Sequence, residues 1–433
     1  MSVANAALTP APEPLTTHTV GGPRHLPALD GLRGCAILFV LVTHANNLFG
    51  GAFAGSGFTR LAGVVMNAGW VGVDLFFVLS GFLITRILLD ARDTSDSATG
   101  YFRNFYARRV LRIFPLYYGF LIVCLFSLPR VSAALFKAFD QVSAADRASL
   151  LAYFYNFRVA LTQRPLANFH IFWSLAIEEH FYLFWPLLVW LLSRRKLMGL
   201  CVTIMALSLA LRIIVMRYAS SLQVAYLITP CRMDGLAAGA LVAAATRDPI
   251  DCARLVRLAR PMLLISALDI LLIAILSGHF SDAIDFRFAG HEPTRRDSTL
   301  VIGPGITALA LFFASFLAIL VNATTTGPVR RAMEWPPLRS IGAYSYGMYV
   351  FHELLLGVSL ILGRKLIPNF EQSSPLIAKP LTAIWLLAFT YTVAWLSYHL
   401  FERHFLALKR FFEYRGIRPE ARNQNDESMT KPE

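Results

Sequence analysis

The chain reads as an all-α, polytopic membrane protein of about ten transmembrane helices with both termini in the cytoplasm. Three observations predict this class. Of 433 residues, 56% are hydrophobic and only 15% charged, where a soluble domain carries about a quarter charged residues. Mean hydropathy is correspondingly positive, at +0.54. Apolar stretches of about 20 residues, the length that crosses a hydrocarbon core, recur along the whole chain.

Taken in order, the stretches lie near residues 31–50, 68–89, 110–130, 172–193, 197–217, 224–246, 261–278, 299–321, 340–362 and 380–401. The first, LRGCAILFVLVTHANNLFG, carries Arg33 and His44. The second opens with GVDLFFVLSGFL, in which Asp74 enters from the outside and Ser80–Gly81 lies deeper. The third begins within FYARRVLRIFPLYY, whose Arg109 and Arg112 are three apart on one face at its cytoplasmic end. The fourth contains FWSLAIEEHFYLFWP, where Ser174, Glu178 and Tyr182 form a stripe spaced by four running inward from the outer surface. The fifth and sixth hold Arg212 and Arg232 within their spans, the latter beside Asp234. The ninth contains SYGMYVFH, ending at His352, and the tenth runs into FERHF.

Charge fixes the orientation. With the N-terminus inside, 25 of the 40 Lys and Arg fall on inner segments and 13 on outer ones, Arg212 and Arg232 lying within spans. An even number of spans then returns the C-terminus to the cytoplasm. The net charge of +13 does not point to nucleic acid, because the basic residues are spread over membrane-flanking loops and form no single patch. Residues 1–26, rich in Ala, Pro and Thr and lacking a signal-type apolar core, read as a disordered cytoplasmic arm. Residues 27–408 form the transmembrane domain and 409–433 a polar cytoplasmic tail. The five cysteines show no CxxC pair, so neither a disulfide framework nor a metal site is expected.

Chemistry is sought at Arg33 and His44. Eleven residues make about three helical turns, so the two side chains share a face about 16 Å apart along the axis. Ionisable groups inside spans are expensive and usually mark a site or pathway. The duller readings are a helix–helix hydrogen bond for His44, topogenic charge for Arg109 and Arg112, and a structural ion pair for Asp74.

Together, the basic residue ten positions ahead of a histidine (Arg33, His44), GVDLFFVLSGFL, the RxxR pair (Arg109, Arg112) and WSLxxEE with FYLxxP (Trp173 to Pro186) resemble the acyltransferase-3 family of bacterial inner-membrane O-acyltransferases. The likeness runs from about residue 28 to residue 405. It implies transfer of an acyl group, usually acetyl from cytoplasmic acetyl-CoA or another acyl-CoA, to a hydroxyl of a carbohydrate or glycolipid acceptor. That acceptor is a surface polysaccharide or its lipid-linked precursor, and the setting is the bacterial cytoplasmic (inner) membrane.

CoA is a cytoplasmic polyanion, so Arg33, Arg109 and Arg112 are the expected donor-binding residues; arginine suits bidentate phosphate contacts. His44 is the expected general base toward the acceptor hydroxyl, with an acyl-histidine as a variant. Glu178 or Asp74 is expected to orient its imidazole, as a carboxylate does in a catalytic triad. Two other readings stand beside this one: acylation of a small metabolite such as a macrolide sugar, and a transporter or acyl-group conduit without catalysis. Buried charges and Gly/Pro-broken spans also build transporter sites, though no two-half repeat is visible.

Overall fold

Among the described residues, all the regular structure is helical. The computed structural model describes residues 26–47, 66–131, 142–166, 169–219, 221–277, 299–322, 327–366 and 375–413, and no strand occurs among them. The predicted termini and linking segments beyond these residues lie outside the described part. Seven helices among the described residues are long and apolar enough to cross a membrane: 27–46, 68–94, 98–127, 194–218, 249–276, 301–321 and 381–411. The chain is a multi-pass membrane protein.

The long helices follow the apolar stretches in order. They begin with α1 (Pro27–Asn47), α2 (Val71–Thr94) and α3 (Ala98–Ile122). The short α4 (Ala144–Leu151) and α5 (Tyr155–Thr162) precede α6 (Phe172–Leu191) and α7 (Arg194–Tyr218). Next come α8 (Met233–Ala245), α9 (Pro249–Ser277) and α10 (Ile306–Val321). Two short helices, α11 (Pro328–Met333) and α12 (Pro336–Ala343), lead to α13 (Ser345–Leu366) and α14 (Pro375–Ser397).

Two boundaries differ from the sequence reading for local reasons. Ser97 caps α3, its hydroxyl accepting from the Gly100 amide at 3.1 Å, so the helix starts a dozen residues before the apolar stretch. Arg109 and Arg112 therefore sit mid-helix, not at its first turn. The sixth stretch is broken: Thr229–Pro230 ends one helical turn and starts a 3-10 segment (Thr229–Arg232), leaving α8 only 13 residues long, about 20 Å.

Small residues set the closest crossings. A Cβ built at Gly81 of α2 would stand 1.9 Å from the Leu236 carbonyl oxygen of α8, and one at Gly239 of α8 would stand 1.9 Å from that of Val78. Each helix thus presents a glycine to the other's backbone, the close approach that small residues permit in membranes. Beside this crossing lies a buried charge network. Arg232 donates to Asp74 at 2.7 Å, and Arg212 donates to Asp234 at 2.8 Å and to Thr307. The Arg232 guanidinium also lies 4.6 Å from the Tyr226 ring centroid. Asp74 is thereby a structural partner of Arg232, which ends the 3-10 segment leading into α8. This corrects the expectation that it faces His44.

Candidate active site

Helices α1 and α13 pack against each other, and residues of both, with others from α6, form two polar regions. At one end, Arg33 of α1, Arg109 and Arg112 of α3, Ser80 of α2, and Glu178 and Tyr182 of α6 line a cavity. It encloses about 810 Å³ of space not filled by atoms, part of it open to solvent. The three arginines predicted from sequence thus converge, although they come from two helices. Glu178 lies among them. Its carboxylate accepts from Ser80 at 2.7 Å and from Tyr182 at 3.2 Å. The Arg109 guanidinium sits 5.6 Å from the Tyr182 ring centroid. Glu178 is therefore a cavity-wall carboxylate, fixed by two hydroxyls, and not the group that orients His44.

The far wall of this cavity is formed by Tyr349 and Ser174. Their hydroxyls are 2.6 Å apart, and Tyr349 donates to the Ile171 carbonyl at 3.0 Å. One turn further along α13 lies the second polar region. The Tyr349 and His352 ring centroids are 5.5 Å apart.

Here His44 of α1 meets Glu353 of α13, with Nε2 3.2 Å from the carboxylate Oε1. His170, just before α6, approaches the same oxygen through its Nε2 at 3.3 Å. The His352 ring packs edge-on against that of His44, centroids 4.8 Å apart. His44 thus faces protein, not lipid. Its Nδ1 lies 2.8 Å from the Val40 carbonyl oxygen, and His352 Nδ1 lies 2.7 Å from that of Tyr349. A carbonyl oxygen can only accept, so both rings carry hydrogen on Nδ1 and, when neutral, direct an Nε2 lone pair at the cluster.

Sequence reasoning found His44 but neither Glu353 nor His170. A signal for Glu353 was present: the dipeptide His352–Glu353 interrupts an otherwise apolar segment, and intramembrane acids demand explanation. Nothing marked His170, which sits in a loop whose position only the fold determines.

With this geometry in place, comparison with known proteins identifies the lineage. A family model described as an acyltransferase domain, acyltransferase-3, matches residues 26–399. The chain belongs to the acyltransferase-3 family. Among similar proteins, it is 26% identical over 397 residues to peptidoglycan O-acetyltransferase OatA of Listeria monocytogenes, covering 88% of this chain and 55% of the relative. It is 27% identical over 399 residues to "Putative peptidoglycan O-acetyltransferase YrhL" of Bacillus subtilis, again covering 88% and 55%. The chain spans about half the length of these relatives. No solved structure matches it.

Proposed function

We propose that this acyltransferase-3 protein moves an acetyl or other acyl group from cytoplasmic acyl-CoA to a hydroxyl of a carbohydrate acceptor, a surface polysaccharide or its precursor. The observation that carries this reading is the pairing of an arginine-lined cavity with a His–Glu centre, one helical turn beyond the cavity's far wall. The arginines suit the donor's phosphates, which they would meet as bidentate, charge-assisted contacts. The flexible arm of the donor then extends toward Tyr349 and Ser174 and delivers the thioester to His44.

At the centre, the acceptor oxygen attacks the thioester carbonyl carbon while its proton passes to His44 Nε2. A new C–O bond forms and the C–S bond breaks. The proton then returns from His44 to the departing sulfur, leaving ester and thiol with no net proton change. Glu353 contacts the working nitrogen itself, unlike the carboxylate of a serine-protease triad, which holds the opposite one. Its role is to stabilise the imidazolium and fix its direction. The activity for which the relatives are named, O-acetylation of peptidoglycan, supports a polymer of sugars as acceptor class.

The test uses purified protein in nanodiscs with acetyl-labelled acetyl-CoA and soluble glycan fragments. Wild type should form labelled ester, and His44→Ala should lose at least a hundredfold in rate, the lower range of acid–base contributions. Full activity in correctly folded His44→Ala would refute the assignment.

A further inference from the structure

The mechanism leaves one buried group unused. His352 is 0% exposed, its Nδ1 is engaged by the Tyr349 carbonyl, and its Nε2 has no hydrogen-bond partner. A buried nitrogen without a partner loses its hydration uncompensated. Nor does it face apolar groups. The available nitrogen atoms of His44 and His352 and a Glu353 oxygen all lie within 4.8 Å of one another. Lone pairs and a carboxylate turned toward a common point repel, unless something positive occupies it.

Two features match a metal site. Both rings donate Nδ1–H to a backbone carbonyl, the outer contact that fixes a metal-binding imidazole with Nε2 free for the ion. The donor set also has the right number. Glu353 Oε1 lies 3.3 Å from His170 Nε2 and 3.2 Å from His44 Nε2. Ligands held at about 2.0–2.1 Å in a tetrahedron are about 3.3 Å apart. The His352 nitrogen, which shares the 4.8 Å span with His44 and Glu353, and His170 must then draw closer to the others by side-chain movement. Three imidazoles and one carboxylate favour a borderline ion such as Zn2+ over Mg2+ or Ca2+, which take oxygen ligands. The sequence reading expected no metal because it sought cysteine pairs and local spacing, whereas these ligands come from three separate segments.

We infer that His44, His170, His352 and Glu353 form a binding site for a divalent transition-metal ion of the zinc class, and that its occupancy inhibits acyl transfer. The metal and the acceptor proton compete for one lone pair, that of His44 Nε2. Binding is independent of the proposed function; only the inhibition rests on it.

The experiment has two arms on the full chain in detergent. Without any acyl donor, Zn2+ is titrated against a fluorescent zinc chelator as competitor. Wild type should take up one ion, and folded His352→Ala should bind at least tenfold more weakly. No uptake, or equal uptake by His352→Ala, overturns the site. If that variant does not fold, Co2+ added to wild type decides: the visible spectrum of a tetrahedral nitrogen–oxygen site supports it, and an octahedral aqua-like spectrum refutes it. In the second arm, labelled-acetyl transfer should fall as Zn2+ fills the site and return with EDTA. Unchanged or increased transfer by the loaded protein refutes the inhibition while leaving the binding arm to stand alone. Wild-type protein that binds zinc but never transfers acetyl refutes the functional reading instead.

Discussion

Two carboxylates, Glu178 and Asp74, were candidates to face His44, and the structure places a third there. Glu353 lies against His44, Glu178 is fixed by Ser80 and Tyr182 in the arginine cavity, and Asp74 neutralises Arg232. Substitutions should separate them. Glu353→Gln is expected to lower the maximal transfer rate about a hundredfold, because the neutral amide cannot stabilise an imidazolium. Glu178→Gln should act mainly on the donor's KM, since its carboxylate shares a cavity with the arginines proposed to hold the donor's phosphates. Steady-state kinetics against acetyl-CoA distinguishes the two, and matching kcat losses would contradict this division. Asp74→Asn should instead reduce stability. It leaves Arg232 buried and uncompensated, a change that costs about 3–5 kcal/mol in buried pairs, and thermal unfolding in detergent reads it. At this scale His44 and the arginines were legible because charge in an apolar stretch is conspicuous. Their partners were not, because depth along a helix does not say which neighbour a side chain meets.

At the scale of elements, the helices were read from hydropathy and their packing was not. The stretch containing GVDLFFVLSGFL identified α2, in which Gly81 makes a close crossing. That its counterpart is Gly239 of α8 depends on which helices cross. Replacing either glycine with leucine places a side chain inside the opposing backbone, where the Cβ alone would be 1.9 Å from a carbonyl oxygen. Gly81→Leu should therefore fail to give a monodisperse protein by size-exclusion chromatography, whereas Gly199→Ala, whose site has no atom within 4 Å, should behave as wild type. A monodisperse, active Gly81→Leu protein would mean the crossing is wrong. The late start of α8 was less legible: the chain around Thr229–Pro230 is apolar enough to read as one span, yet proline cannot donate an amide hydrogen bond and the helix restarts.

Across the whole molecule, the arginine cavity and the His–Glu centre occupy opposite ends of α1, separated by about 16 Å between Arg33 and His44. Such a division lets a charged donor be held where water reaches it while its reactive end works among buried groups. Donor affinity should then depend on salt, because phosphate–arginine attraction is screened, and Arg109→Ala combined with Arg112→Ala should both weaken binding and flatten that dependence. Equilibrium binding of acetyl-CoA at several ionic strengths checks this; an unchanged salt dependence would exclude the pair from the donor site. The Tyr349–Ser174 contact lies between the two ends, so the proposed donor route runs through it.

The most direct examination of that route is a cryo-EM structure of the protein bound to an unreactive thioether analogue of acetyl-CoA. Phosphate density is expected against Arg33, Arg109 and Arg112, with the sulfur past a displaced Tyr349 and within reach of His44 Nε2. Density for the phosphates elsewhere, or a sulfur left outside a closed Tyr349–Ser174 contact in every particle class, would contradict it.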